Sequence, residues 1–267
     1  PHFNGIGAFI KNEPSFPCAR NSIRDILTRA CLHGHWWIND PDCLLIRPDT
    51  HLSLAEVQTL ATAIAMTGGS LLLSDDLPKL PEERLRIAEV LLPVIGERAR
   101  VLDWFDAEMP AKLRLDQLND TGEWHLLAKF NWSEKSADLA IDPGEFDLPA
   151  GEYRAMEFWS GRVERMGKGD KLTIAAVPAH GCVLVALRKT AKEQPVYLGS
   201  DLHFSMGHEV AEWKAGDNKV TFTIRLPRKT EGKVCVVIPW QKFSVEVDGE
   251  KHENVIRKGS LVEIPIS

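Results

Sequence analysis

Two acidic stretches carry the side chains best suited to chemistry. Trp36-Trp37-Ile38-Asn39-Asp40-Pro41-Asp42 runs into the apolar run Cys43-Leu44-Leu45-Ile46, and Ser74-Asp75-Asp76 closes Leu71-Leu72-Leu73. Carboxylates accept hydrogen bonds from hydroxyl groups or move protons, and an indole offers a flat apolar face with a single N–H donor. Grouped at the mouth of a buried strand, such side chains suit a hydroxylated ligand. In parallel α/β structures ligands meet the carboxyl ends of the strands, where a strand over residues 70–73 delivers Asp75 and Asp76. Asp40 and Asp42 precede the strand at 43–46. They reach that face only if the strand begins earlier, at 35–38, with residues 39–42 bending above it.

Each of these residues also has a plainer reading. Asp42 beside Pro41 suits a turn in which the side chain bonds its own backbone. Cys43 suits a small buried hydrophobe, and at least one of Trp36 and Trp37 is expected in a core. Asp75 and Asp76 suit structural caps for the following loop.

The elements that must position these groups follow from periodicity. Ile23, Ile26, Leu27, Ala30 and Cys31 share a helical face that Gly34 ends. Residues 43–46 are apolar without alternation, as in strands buried on both faces. Ser53 and Glu56 form a capping box for a helix through Leu54, Val57, Leu60, Ala61 and Ile64, stopped by Gly68-Gly69. A second buried strand spans 70–73. Pro81 opens a third helix with Glu82 and Glu83 in its first turn, and 98–104 is a candidate further strand. Strand, helix, strand, helix with short loops is the pattern of parallel βα units. Such a piece leaves an unpaired parallel edge that other strands, another copy or a partner chain must cover.

After about residue 110 period-two alternation takes over, in 111–120, 123–132, 171–177, 181–188, 219–226, 232–239 and 243–250, with turn signals between. Many short strands at this spacing predict antiparallel sandwich architecture. A soft break falls at 188–195. The expected fold is therefore α/β plus all-β, divided into residues 1–108, a β-sandwich over 109–190, and 191–267 as a second small β module or a continuation of the sandwich.

Composition narrows the partners. The chain of 267 residues is 44% hydrophobic and 26% charged, ordinary for a globular protein. A net charge of −6 argues against an electrostatic grip on nucleic acid or an anionic membrane. No apolar stretch is long enough to span a bilayer. Five cysteines without regular spacing support neither a disulfide framework nor a zinc site; reduced thiols fit a cytoplasmic protein. His33 with His35, and His203 with His208, lack companions to complete a metal set, and no cofactor is expected. The Gly/Pro-punctuated start at Pro1 has no signal-peptide pattern and reads as a loop beginning in mid-structure, so a fragment of a longer chain is expected.

Spacing alone leads to an α/β piece plus a β-sandwich with a sugar-binding candidate. Two elements take it further. Residues 37–44 and 69–77, in order and flanking one helix, resemble the W-x(0–1)-N-D-P-D-[MC]-L and [SG]-x-L-x-[LM]-S-[ND]-D-L elements of melibiase-type alpha-galactosidases, which are retaining glycoside hydrolases. The resemblance is firm over 20–95 and extends to about 190. It implies the last units of a (β/α)8 barrel followed by antiparallel β-sandwich modules, and hydrolysis of terminal alpha-linked galactose by double displacement without a cofactor. It also implies that Asp42 and Cys43 reach the galactose site, that Trp36 or Trp37 offers a face to a sugar ring, and that Asn39, Asp40, Asp75 and Asp76 brace the site.

The departure concerns the catalytic acids. Double displacement needs two carboxylates about 5–5.5 Å apart, which the family carries in K-x-D and R-x-x-x-D segments ahead of the W-N-D-P-D element. Lys168-Gly169-Asp170 matches K-x-D but falls in a turn of the β half. Arg20 and Asp25 lie in a helix. No credible pair remains, so the chain is expected to be inactive alone, with an alpha-galactoside oligosaccharide and the remainder of the barrel, or another copy, as its partners. Alternatives are a carbohydrate-binding or oligomerisation β module with remnant barrel units, and a related alpha-N-acetylgalactosaminidase or galactosyl transferase.

Overall fold

The computed structural model describes residue 9 and residues 17–189 and 194–267. The opening Gly/Pro-rich stretch, apart from residue 9, and positions 190–193 of the expected break lie outside the described residues.

The first third is helical with one short parallel ladder. Helix α1 (Ala19–Arg29) buries Ile23 and Leu27, one turn apart, and tightens into a 3-10 turn over Ala30–Leu32. Strand β1 (Cys43–Leu44) leads through helix α2 (Leu54–Met66) to β2 (Leu72–Leu73), with Cys43 opposite Leu72 and Leu44 opposite Leu73 in parallel register. The ladder is shorter than the apolar runs that build it. Helix α2 starts on the expected capping box: Ser53 Oγ accepts the Glu56 N–H at 3.3 Å and the Glu56 carboxylate accepts the Ser53 N–H at 2.7 Å. From Thr59 to Met66 every residue of α2 is buried, so over its second half the expected one-sided stripe is replaced by a helix covered all round.

Two glycines let the chain leave α2. Gly68 takes φ +72°, and a Cβ there would meet the Glu97 backbone; one on Gly69 would run into the Asn39 carbonyl. Backbones therefore approach from both sides at a point where only glycine fits. Helix α3 (Glu82–Glu89) follows Pro81, with Glu82 and Glu83 in its first turn. The candidate strand at 98–104 is real but short, and its partner differs from a parallel continuation: β3 (Arg100–Val101) lies antiparallel against the following strand, Arg100 opposite Arg114.

The rest is antiparallel. In chain order come β4 (Lys112–Asn119), β5 (Gly122–Phe130), β6 (Ala137–Ile141), β7 (Tyr153–Glu157), β8 (Val163–Met166), β9 (Leu172–Val177) and β10 (Cys182–Lys189). Five of them join β3 in one sheet, in the order β3-β4-β5-β10-β7-β8, and β6 pairs with β9. Alternation sends the two faces of this sheet to different cores. Leu126, Ala128, Leu184 and Ala186 join the core that contains Ile23, Leu60 and Ile64 of the helices. Leu127, Val183, Val185 and Leu187 meet Leu139 and Ile141 of β6 and Leu172 and Val177 of β9. Strand β3, nine residues before the boundary expected at 109, already belongs to this sheet.

A last layer holds β11 (Val196–Ser200), the β12–β13 hairpin (Val210–Ala215, Val220–Ile224), β14 (Gly232–Val237), the small β15–β16 hairpin (Glu246–Val247, Glu250–Lys251), β17 (Ile256–Lys258) and β18 (Leu261–Ile266). Its main sheet runs β11-β14-β18-β17, around Tyr197, Val234, Val236, Val262 and Ile264. Two arginines bolt it to α3. Arg86 donates to the carbonyls of Asp201 and Glu231, each at 3.0 Å, and Arg228 donates to Leu92 at 2.5 Å and Leu202 at 2.7 Å. Among the described residues no helix is long and apolar enough to cross a membrane.

Candidate functional site

The acid-aromatic stretch follows α1 and its 3-10 turn. Residues 35–38, where an earlier strand start would have been needed to carry the acids to the carboxyl face, form none: residues 34–36 make a turn closed by a single His33–Trp37 bridge, with Gly34 N–H donating to Trp37 O at 2.8 Å. The chain is then pinned at Asn39. Its carbonyl accepts the Ser70 N–H at 2.9 Å, and its N–H donates to His33 Nδ1 at 3.0 Å. That bond places the His33 ring proton on Nε2, which faces Gly96 O at 3.3 Å. Asn39 Oδ1 accepts the Trp37 indole N–H at 2.9 Å, while Asn39 Nδ2 is buried without a hydrogen-bond partner among the described residues.

From Asn39 the chain takes two consecutive side-chain turns. Asp40 Oδ1 accepts the Asp42 N–H at 3.0 Å, and Asp42 Oδ1 accepts the Cys43 N–H at 2.8 Å. Asp42 itself sits at φ +65°, a left-handed conformation that Asp tolerates better than most residues. Asn39 meets residue 70 and Cys43 meets residue 72, so four residues on one side match two on the other. The acids therefore occupy a bulge along a strand path.

This group is open to solvent. Trp36 is 78% exposed and Trp37 44%, packed edge to face with centroids 6.3 Å apart. The expectation that one of them lies in a core is corrected: with residues 34–36 in a turn, neither ring has a layer above it. Asp40 and Asp42 are exposed and Cys43 is half-buried.

Asp75 and Asp76 stand apart from that group. Asp75, its side chain fully buried, accepts the Ile46 N–H at 2.7 Å and the Arg47 N–H at 3.2 Å, and pairs with the Arg47 guanidinium at 2.6 Å. Asp76 is exposed and pairs with Lys79 at 2.5 Å. In the parallel ladder Asp42 precedes β1 while Asp75 follows β2, so the two acids lie at opposite ends of it. Asp42 thus stands at the amino end of the short ladder, the placement expected only if no earlier strand segment existed. The structure gathers Trp36, Trp37, Asn39, Asp40, Asp42 and Cys43 into one rim and leaves Asp75 and Asp76 outside it. Sequence reading missed His33 and Arg47, which hold Asn39 and Asp75, because nothing in their spacing marks them.

The other candidates are structural. Asp170 closes a turn by accepting the Gly167 N–H at 2.7 Å. Arg20 pairs with Glu108 at 3.2 Å, and Asp25 with Arg24 at 2.9 Å. His203 is buried between Ser205 Oγ and Pro93 O. Among the described residues no three or more His, Cys, Asp or Glu side chains converge as metal ligands.

Fold and rim together define a class: a helical unit with a short parallel ladder and an exposed acid-aromatic rim, backed by antiparallel β layers. No protein-family model matches the chain. Solved structures with a similar fold are alpha-galactosidases and related glycosidases, the enzymes to which residues 37–44 and 69–77 point. Alpha-galactosidase I from Mortierella vinacea matches with a TM-score of 0.55 at 14% identity, over 69% of this chain and 51% of its own. An alpha-galactosidase from Saccharomyces cerevisiae matches at 0.51 and 15%, over 67% of this chain and 53% of its own. A β-L-arabinopyranosidase of glycoside hydrolase family 27 from Geobacillus stearothermophilus, in complex with arabinose, matches at 0.51 and 16%, over 64% of this chain and 42% of its own. At these identities the likeness is one of fold, and the chain spans about half the length of the structures it matches.

Proposed function

We propose that the chain is part of a retaining glycoside hydrolase acting on terminal alpha-linked galactose, and that residues 36–43 supply one rim of its sugar pocket. The observation that carries the second point is the exposed grouping of Trp36, Trp37 and Asp42 with half-buried Cys43, which the bulge at residues 40–42 lifts out of the strand path at the amino end of the ladder, not at the carboxyl end where ligands of parallel sheets usually bind. Asp42 accepts hydrogen bonds from sugar hydroxyls, Cys43 lines the wall, and a tryptophan face packs against ring C–H groups. Asn39 and Asp40 hold the bulge. Asp75 braces the far end of the parallel ladder, so its support reaches the rim through the strands, while the Asp76 side chain meets only Lys79 among the described residues.

The nucleophile and the acid/base come from polypeptide outside this sequence. Helix α1, the short parallel ladder with α2, and α3 are the last units of a (β/α)8 barrel whose remaining strands cover the ladder's edges. Two features support such a partner. Leu72 on the ladder is 43% exposed, and the buried Asn39 Nδ2 lacks the acceptor that an unpaired donor needs, at a cost of about 1–3 kcal/mol. The partner is the rest of the barrel or another copy of the chain.

The test is turnover of an aryl alpha-galactoside. The homogeneous chain is expected to show none, and a separately produced polypeptide bearing the two acids is expected to restore it when mixed. Linear turnover by the chain alone would defeat the assignment of both catalytic acids to another segment.

A further inference from the structure

We propose a second saccharide site, remote in sequence from the rim, in the cleft where α2, α3, the β7–β8 turn and the last β layer meet. The cleft encloses about 320 Å³, within the range of small-ligand pockets. Its wall includes Gln58 of α2, Glu83 and Arg86 of α3, Trp159 of the turn, Asp201 after β11 and Lys233 of β14.

The chemical class follows from what these groups have left to give. Arg86 lies 3.6 Å from the Asp201 carboxylate, and Lys233 pairs with Glu263 at 3.2 Å. Both cations of the cleft are thus answered by carboxylates, so a phosphate finds no free partner, and among the described residues no three metal-ligating side chains converge there. The Trp159 N–H is spent on Thr62 Oγ1 at 3.0 Å, which leaves only carbon surface for the cleft. The side chains of Gln58 and Glu83 make no hydrogen bond or ion pair among the described residues, so an amide and a carboxylate remain to bind a guest. An apolar aromatic surface beside a free amide and a free carboxylate, in a wall whose cations are already paired, fits a neutral polyhydroxylated ring. The ligand class is read from the cleft alone and does not depend on the rim.

Hydrogen–deuterium exchange of the full chain, with and without saturating melibiose, locates the sugar. The expected result is slowed exchange at the β7–β8 turn and in α3, abolished by Gln58→Trp, which fills the cleft from α2. Calorimetry of Glu83→Gln is expected to show melibiose binding weakened by about three- to tenfold, the loss of one charge-assisted hydrogen bond, with the melting temperature unchanged. Protection confined to residues 36–46 would overturn the second site while leaving the rim standing. Absence of protection anywhere, or protection of the cleft that persists in a folded Gln58→Trp variant, would overturn it as well, and aryl galactoside turnover would still judge the rim independently.

Discussion

The Asp75 carboxylate holds the backbone N–H of Ile46, 29 residues earlier, at 2.7 Å. With Arg47 on its other oxygen at 2.6 Å, this one side chain closes the carboxyl end of the parallel ladder. Asp75→Ala leaves the Ile46 and Arg47 amides without their acceptor, and two such losses cost about 2–4 kcal/mol. Urea denaturation should show that loss. Asp76→Ala, which removes only an exposed ion pair, should stay within about 0.5 kcal/mol of the parent.

Asp42 separates structure from chemistry. Its φ of +65° strains any residue with a Cβ by about 1–2 kcal/mol, which glycine avoids. Asp42→Gly is expected to keep the melting temperature close to the parent's, the relieved strain offsetting the lost bond to Cys43. Asp42→Ala, which keeps the strain and loses the bond, is expected to fall by about 1 kcal/mol. On the proposed function, both should abolish the galactoside turnover that mixing with the polypeptide bearing the two acids is expected to restore. Activity retained in the glycine variant would remove Asp42 from the pocket.

The two tyrosines give a pH signature. Burial pushes the Tyr197 phenol well above its ordinary 10.0, and the Glu209 carboxylate accepting its hydrogen bond pushes the same way. Burial also raises Tyr153. Folded chains hold both phenolic protons at a pH where unfolded chains release them. Their contribution to stability is therefore complete below pH 10 and declines as pH rises above it. Near-ultraviolet titration should show tyrosinate appearing together with alkaline unfolding, not ahead of it.

Glu209 anchors that network. Wholly buried, it accepts Tyr197 Oη at 2.6 Å, Ser200 Oγ at 2.5 Å and the Gly207 N–H at 2.7 Å. Glu209→Ala strands three polar groups in the interior and should cost more than about 3 kcal/mol, measured by the denaturation midpoint.

Thiol labelling gives an order. Burial holds the Cys182 thiol up at about 11 and the Cys235 thiol at about 12, so both stay protonated and unreactive near neutral pH. Cys182 is half-buried like Cys31 and Cys43, so its raised pKa alone should set it behind those two when an alkylating reagent is followed by peptide mapping, with Cys235 also late.

Much of the scaffold was legible because its signals are local. The Ser53–Glu56 capping box and Gly68-Gly69 bound α2 as spacing predicts, and the alternation in β4, β5, β10 and β14 is strong enough to read directly. Strands β7, β11 and β18 were not singled out. They are short or, like β18 with Pro265 opposite Lys233, carry a residue that weakens a strand pattern. The rim was legible only as composition. Whether Trp36 and Trp37 are covered depends on a turn at 34–36 and on what packs above it, and neither leaves a period in the sequence. The pairing of β3 with β4 was hidden for a related reason, since a two-residue strand cannot announce its direction. Asp75 finds Ile46 through the tertiary fold, across a helix, where no local pattern reaches.

The arginine bolts between α3 and the last β layer have a mechanical meaning. Arg86 and Arg228 each grip two carbonyls from separate segments, so that layer is no bead swinging on a tether. A pull on the carboxyl terminus is carried through β18 and β14 into those guanidinium grips and onward to α3. The ladder beside the rim therefore feels load applied at the far end of the molecule, and shortening the chain from that end would slacken the support on which the rim rests.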